Sequence, residues 1–498
     1  MNQTGMRVAI VSPEVVPFAK TGGLADVAGA LPKALSSLGV EVRVLMPKYG
    51  SIDQKAHGIE TLLADLQVPV GRREKSFTLK RAVMPDSEVE CLFIDSPEYF
   101  GREGYYLDKK TGEDFPDNDE RFLLFSRGVL ESLRALDWKP DVIHLNDWQT
   151  GLVPAYLKGV YSEDPFFHGI GTVFTIHNIA YQGSFPPESF EKLNLPPEYF
   201  YPTAGLEFWG KVSYLKAGIH FADLVTTVSK QYAREISSSS EYGHGMEGLL
   251  KSRQAHLHGI VNGIDYSVWN PETDEFIPFR YRSSNLEGKR KDRLALRKEM
   301  KLPSPRKRVP LIGIISRLAS QKGFDLIEAC SRELLEMDLQ LVILGTGEEH
   351  YHKLFSSLKR KHRGKVGLKL GFDNGLAHRI EAGADMFLMP SRYEPCGLNQ
   401  LISLKYGTVP IVRKTGGLAD TIEDYDPQTG LGNGFVFEEY TPEALLGAVK
   451  RALEVYRDKE RWERLVRYGM SLDFSWQASA RSYVELYKRL RNPHPVMV

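Results

Sequence analysis

The chain has 498 residues, 42% of them hydrophobic and 26% charged, with Lys+Arg 64 balanced by Asp+Glu 64. That length exceeds one hydrophobic core and implies two or three domains, and the neutral balance gives no bulk attraction to nucleic acid. No apolar run is long enough to cross a bilayer and the start lacks the charged-then-apolar profile of a secretion signal, so no membrane partner and a cytoplasmic location are expected.

In chain order, short apolar runs recur with helix-compatible segments between them: 7–11, 42–46, 89–94, 141–145, 172–176 and 223–228. Continuous apolar character is what parallel strands covered on both faces require. After Val261-Asn-Gly-Ile-Asp265 comes a Pro-rich, charged connection, within which the basic stretch Lys289 to Lys301, continuing into Arg306, Lys307 and Arg308, reads as a solvated helix and loop. A second series follows at 310–315, 340–344, 366–370, 385–389 and 409–412. The pattern predicts an α/β protein of two doubly wound domains, 1–262 and 263–475, with ligands at the carboxyl ends of the strands and a deep cleft between facing domains. Phe474, Trp476, Tyr483 and Tyr487 predict a terminal helix over 476–498 that packs back across the junction.

Cys91, Cys330 and Cys396 are odd in number and far apart, which indicates neither a disulfide framework nor a zinc site. No H-E-x-x-H spacing occurs, so no metal is expected.

The heptapeptide Lys-Thr-Gly-Gly-Leu-Ala-Asp occurs twice, as Lys20 to Asp26 and as Lys414 to Asp420, each time after an apolar, β-branched run. A Gly-Gly where a strand turns into a helix exposes unpaired N–H groups to an anion, and a neighbouring lysine adds a mobile charge. Read blandly, the glycines make a tight turn and the aspartate is a first-turn charge. Three further clusters fall at strand ends. His177 closes a strand and opens His-Asn-Ile-Ala-Tyr-Gln-Gly. Arg317 and Lys322 sit five apart in the turn after a buried strand, where a guanidinium and an ammonium together suit a diphosphate. Glu394, in Ser391-Arg-Tyr-Glu-Pro-Cys-Gly397, is either a first-turn charge or an acceptor for sugar hydroxyls, and Cys396 a small buried hydrophobe. Leu344-Gly-Thr-Gly347 lacks the third glycine of a dinucleotide fingerprint, having His350 in its place. Asp147 and Glu394 could be offered as a hydrolase pair, but the special turns carry cations and amides, which implies a leaving group that is already a phosphate.

Taken together, the chain closely resembles the bacterial glycogen synthase and plant starch synthase family, retaining glucosyltransferases of GT-B architecture. The marks are Lys20-Thr-Gly-Gly-Leu24 with Asp26, Tyr99-Phe-Gly-Arg-Glu-Gly104 with Asp117-Asn118, His144 with Asp147-Trp148, Thr175-Ile-His-Asn178, Val261-Asn-Gly-Ile-Asp265 with Trp269-Asn270, Ser316-Arg-Leu318 with Gln321-Lys-Gly323, and Glu394-Pro-Cys-Gly-Leu398. The resemblance implies transfer of glucose from ADP-glucose to the non-reducing 4-hydroxyl of an α-1,4-glucan such as glycogen or a malto-oligosaccharide, with retention and without a cofactor. It assigns Arg317 and Lys322 to the diphosphate, Lys20 with the Gly22 and Gly23 amides to the same group from the other domain, Phe372 to adenine, and Glu394 to the glucosyl unit. Cys396, Gly397, Leu398, Thr415 and Gly416 complete the donor side. His177, Asn262 and Asp147 line the sugar and acceptor side, with Tyr106, Asp26, Trp148 and Tyr181 toward the acceptor. Tyr106, Trp148, Tyr181, Phe185 and Trp209 can stack on glucose rings, although core is the commoner fate of such residues. Three positions depart from the family pattern: Asn146 where many relatives carry histidine, Tyr105-Tyr106-Leu107 for Leu-Tyr-Gly, and Ile402 where the wider group often has a glutamate for ribose. A donor of the UDP-glucose type, a different acceptor, or an inactive glucan-binding relative are the competing readings.

Overall fold

The computed structural model describes residues 5–203, 205–305 and 307–491. Arg306 of the basic stretch and the last residues of the expected 476–498 helix therefore lie outside the described residues. The chain divides into two compact units: one runs to Val228, takes in Ala233–Ile260 and resumes at Trp476, and the other is Ser229–Tyr232 with Val261–Ser475.

The first unit is built on β1 (Arg7–Val11), β2 (Glu41–Pro47), β3 (Glu60–Val70), β4 (Arg73–Val83), β5 (Glu90–Asp95), β6 (Val142–Asn146), β7 (Gly171–Ile176), β8 (Ser184–Phe185), β9 (Glu207–Phe208), β10 (Lys211–Ser213), β11 (Leu224–Thr227) and β12 (Leu257–Gly259). Nine of them form one sheet in the order β12-β11-β7-β6-β1-β2-β5-β4-β3, and β8, β10 and β9 form a separate small one. Val8, Ala9, Ile10 and Val11 are wholly buried, as the continuous apolar run requires of a central strand. The helix Gly23–Ser37 covers the sheet with Leu24, Val27, Ala28, Leu31 and Leu35, and the helix Trp476–Arg491 packs beside it.

β1 pairs in parallel with both β2 and β6, Val8 standing opposite Val42 and Val142. The chain leaves β1 toward one edge and later returns to β1's other side. The strand order therefore reverses between β1 and β6, and the crevice beyond their carboxyl ends is where such sheets take ligands.

The second unit repeats the scheme with β13 (Leu311–Leu318), β14 (Gln340–Gly347), β15 (Val366–Leu370), β16 (Met386–Met389), β17 (Val409–Arg413) and β18 (Phe435–Phe437), ordered β15-β14-β13-β16-β17-β18. All its pairings are parallel, and its switch point lies between β13 and β16.

Four features differ from the sequence reading. β3 and β4 add an antiparallel hairpin at one edge, its polar residues alternating with inward ones, so no continuous apolar run marks it. β8, β9, β10, β12 and β18 are also absent from the sequence reading, each being only two or three residues long. The helix Glu287–Glu299 is not simply solvated: Lys289 and Arg297 turn inward, Lys289 Nζ donating to the Ala382 carbonyl at 2.9 Å and the Thr408 hydroxyl at 2.7 Å, and Arg297 Nε to Gln340 Oε1 at 2.8 Å. Burial drives the Lys289 ammonium down to about 7. Arg317 belongs to β13 itself, opposite Thr346, rather than to the following turn.

Candidate functional site

At the switch point of the second unit, a pocket of about 170 Å³ is lined by Ser316, Arg317, Lys322, Ser391, Glu394, Gly397, Leu398 and Asn399 among others. Local sequence explains each placement. Gly323, in the left-handed region with φ 73°, closes the turn after β13, and a Cβ there would lie 1.9 Å from the Pro390 carbonyl oxygen. The two loops are thereby locked together, which brings Lys322 Nζ to 2.7 Å from Glu394 Oε2. Ser391 Oγ donates to the same carboxylate oxygen at 3.0 Å. Glu394 is buried, whereas Arg317 is exposed at the rim. Asn399 Nδ2 donates to the Ile315 carbonyl at 2.9 Å and Gln400 Nε2 to the Cys396 carbonyl at 3.0 Å, so the segment after Glu394 is tied both to β13 and back onto its own turn.

Cys396 is buried and its thiol is pushed up to about 12 by that burial, although the Asn262 backbone amide hydrogen-bonds to it; it is a small packed group rather than a thiolate. Asn262 is in the second unit, and its buried Oδ1 has no hydrogen-bond partner among the described residues. Phe372, two residues beyond β15, is 89% exposed. An aromatic ring left in water at a strand end is open to stack on a flat ligand.

The second heptapeptide does not present a free amide edge. Gly416 has φ 43°, and a Cβ there would fall 1.9 Å from the Glu394 carbonyl oxygen. The Gly417 amide donates to the Glu394 and Pro395 carbonyls, each at 3.1 Å, and Lys414 Nζ reaches Glu438 at 2.5 Å. This copy buttresses the Glu394 turn from behind. Thr415, just before these glycines, is fully buried.

In the first unit the heptapeptide lies open: a Cβ at Gly22 or Gly23 would meet nothing within 4 Å. Lys20 Nζ pairs with Asp26 Oδ1 at 2.7 Å, and both side chains are partly exposed. Glu14 organises the loop, a role sequence reasoning missed. Its buried carboxylate accepts from the Thr21 amide, the Thr21 hydroxyl at 2.6 Å, the Gly22 amide at 3.4 Å and the Tyr106 hydroxyl at 2.7 Å. The Gly22 amide is thus already engaged, and the open amide of the pair is that of Gly23, where the uncapped helix begins. Nothing in the spacing of Ser12-Pro13-Glu14 flags this carboxylate; only its position three residues past β1 could have.

Asp147 follows β6 with φ 58° and ψ 177° and accepts the His177 amide at 2.7 Å. Burial lifts its carboxyl to about 7 against the hydrogen bonds from the His177 and Asn178 amides, and the Glu14 charge adds to the rise. His177 follows β7; burial pulls its imidazole down to about 3, and Nε2 meets Asn146 Oδ1 at 2.9 Å. Trp148 is no sugar platform: it is buried in a ring cluster, 4.9 Å from Phe122 and 5.8 Å from Phe185 between centroids. Phe185 is half-buried in that cluster, and Tyr106 is tied to Glu14, whereas Tyr181 is exposed. His144 is likewise internal, with Nδ1 2.7 Å from the Tyr487 hydroxyl of the C-terminal helix and Nε2 2.6 Å from Thr175. Among the described residues no group of three His, Cys, Asp or Glu could hold a metal ion, and no helix is long and apolar enough to cross a membrane.

The family described as the starch synthase catalytic domain matches residues 7–252, and that of group 1 glycosyl transferases matches residues 297–469. The chain is 49% identical to a glycogen synthase of Desulforudis audaxviator and 48% identical to one of Moorella thermoacetica, in each case over 97% of this chain and 96% of the relative. Among solved structures, the catalytic domain of starch synthase IV from Arabidopsis thaliana, bound to ADP and acarbose, superposes with a TM-score of 0.87 at 35% identity, covering 98% of this chain and 99% of that one. A sucrose-phosphate synthase from Thermosynechococcus elongatus, at 16% identity and a TM-score of 0.57 over 98% of this chain and 100% of its own, shares the fold. With its two switch-point sites and these relatives spanning nearly its whole length, the chain belongs to the glycogen and starch synthase family of GT-B glycosyltransferases.

Proposed function

We propose that this glycosyltransferase transfers glucose from ADP-glucose to the non-reducing 4-hydroxyl of an α-1,4-glucan, with retention of configuration. The observation that carries the reading is the switch-point pocket of the second unit, where a buried glutamate, its lysine partner and a rim arginine surround a space of about 170 Å³. Arg317 and Lys322 hold the diphosphate, Gly397 and Leu398 supply backbone to it, Phe372 stacks on adenine, and Glu394 accepts from hydroxyls of the glucosyl unit. On the first unit, Lys20 and the Gly23 amide act on the leaving phosphate, and His177, Asp147 and Tyr181 belong to the sugar and acceptor side. The starch synthase relative bound to ADP and acarbose supports both a nucleotide and a glucan as ligands.

The step is a front-face displacement. The bond from the anomeric carbon to the diphosphate oxygen breaks, the acceptor 4-oxygen bonds to the same face, and the acceptor's proton passes to the departing phosphate oxygen. Negative charge grows on the diphosphate, so fixed cations and amides there lower the barrier, and no acid is required for this leaving group. The reading calls for neither a metal nor a cofactor.

Labelled glucose offered as ADP-glucose and, separately, as UDP-glucose with glycogen and no added metal tests the assignment. Incorporation from ADP-glucose into β-amylase-sensitive, α-linked chains is expected. Preference for UDP-glucose would overturn the donor assignment. Incorporation from neither, with glycogen binding intact, would overturn catalysis, and a covalent glucosyl-enzyme trapped on any side chain would overturn the front-face step.

A further inference from the structure

Asn146 ends β6 almost wholly buried. Its Nδ2 donates to the Val11 carbonyl at the end of β1 at 3.0 Å, and its Oδ1 faces His177 Nε2 at 2.9 Å. A backbone carbonyl only accepts, which settles which end of the amide faces Val11. The amide oxygen also only accepts, so the hydrogen between Asn146 and His177 must reside on Nε2. A neutral imidazole has a single N–H, and Nδ1 is therefore a lone pair. The ring makes no second hydrogen bond among the described residues, and His177 is only half-buried.

We infer that Asn146 is a positioning residue that locks His177 in its Nε2–H tautomer and leaves Nδ1 as the acceptor for a sugar hydroxyl. This rests on the proposed glucosyl transfer. Asn146 and Asp147 act as one device: the first fixes the ring, and the second holds the backbone amide of the same histidine at 2.7 Å. Val11 closes the frame, because β1 and β6 are adjacent parallel strands. The choice of asparagine at 146 then has a chemical meaning. Asparagine and histidine can each donate to a carbonyl with one atom and accept an N–H with another, whereas alanine can do neither and an ionised aspartate cannot donate.

The test uses the full chain labelled with ¹⁵N-histidine, with the His177 ring signals assigned by difference from His177→Ala. Protonated Nε2 and unprotonated Nδ1 are expected in the wild type, with Nδ1 shifting when maltotriose and ADP are added together. A protonated Nδ1, or an Nδ1 unmoved by the ligands, overturns the inference. In glucosyl transfer, Asn146→Ala is expected to lower kcat about tenfold, one hydrogen bond's worth, with donor KM changed less than about twofold. Asn146→His is expected to restore kcat to within about threefold of wild type, since it preserves both hydrogen bonds. Equal kcat for Asn146→Ala and wild type, or failure of the histidine rescue in a variant that melts normally, overturns it. Absence of transfer by the wild type would instead refute the functional reading and leave the tautomer to the spectra.

Discussion

Lys322→Ala should destabilise the second unit by an amount that the burial of its partner sets. The pair is 2.7 Å long with 20% of the lysine and 8% of the glutamate side chain exposed. Orphaning one member of a buried ion pair costs about 3–5 kcal/mol. The exposed part of Lys322 and the Ser391 hydroxyl that stays on Glu394 at 3.0 Å reduce this to about 2 kcal/mol. For a unit of this size each kcal/mol moves the midpoint about 2–4 °C, which gives a fall of about 4–8 °C in the transition of the second unit. Calorimetry of the full chain, read for that transition, measures it. The double variant Lys322→Ala/Glu394→Gln removes the orphaned charge as well and should recover at least half of the loss, a coupling that distant sites do not show. A single variant within about 1 °C of wild type, or a double variant equal to the sum of its singles, would refute the claim that this pair organises the site.

Lys20→Ala should leave melting unchanged, because its partner Asp26 and the lysine itself are 35% and 54% exposed and such pairs are worth under about 1 kcal/mol. It should instead lower kcat about a hundredfold, whereas Lys322→Ala should mainly raise donor KM; equal loss of donor affinity in both would contradict this division. Phe372→Ala, at an 89% exposed ring, should raise donor KM about tenfold at constant kcat and constant melting temperature, as lost base stacking requires. Asp147→Asn should change the pH dependence of stability. The folded carboxyl holds its proton to about 7 while the unfolded one, at 3.8, releases it, so the wild type loses stability as pH rises between these values. The variant should gain on wild type through that window, by about 4 kcal/mol at most, and the gain should level off above it. Urea unfolding across the range measures the difference, and a difference that does not vary with pH would refute the assignment.

The parallel strands were legible because burial on both faces makes Val, Ile, Leu and Phe predominate along β1, β6, β7, β13, β14 and β16, with the few polar residues mostly at the strand ends. β3 and β4 were not, because an edge hairpin with one wet face alternates and carries as many charges as a loop. The same limit governs the site. Lys20, Lys322, Glu394 and His177 could be picked out because they stand in glycine-punctuated turns after apolar runs, and Arg317 because it ends such a run. Glu14 and Asn146 could not be given roles that way: each acts through another residue, and nothing local to Glu14 shows that it will meet Thr21 and Tyr106. For Trp148 the sequence left a sugar platform open beside the commoner fate of core. An aromatic ring after a strand end reads as a platform until Phe122 and Phe185 are seen to enclose it.

The repeated heptapeptide separates two reasons for a glycine. In the second copy the fold itself demands it: Gly416 is in the left-handed region at φ 43°, and the Cβ of any other residue would strike the Glu394 carbonyl. Alanine there must displace the turn that carries Glu394. In the first copy no internal contact demands glycine. Gly22 has φ −150° and ψ −167°, extended backbone open to any residue, and neither it nor Gly23 faces an atom within 4 Å. What the missing side chains leave room for must therefore come from outside this part of the fold. Identical residues are packed tight in one unit and left open in the other, and the difference comes from their surroundings. A Glu14 carboxylate draws the first loop down by Thr21 and Gly22 and leaves Gly23 open, while the 394–396 turn fills the space around the second.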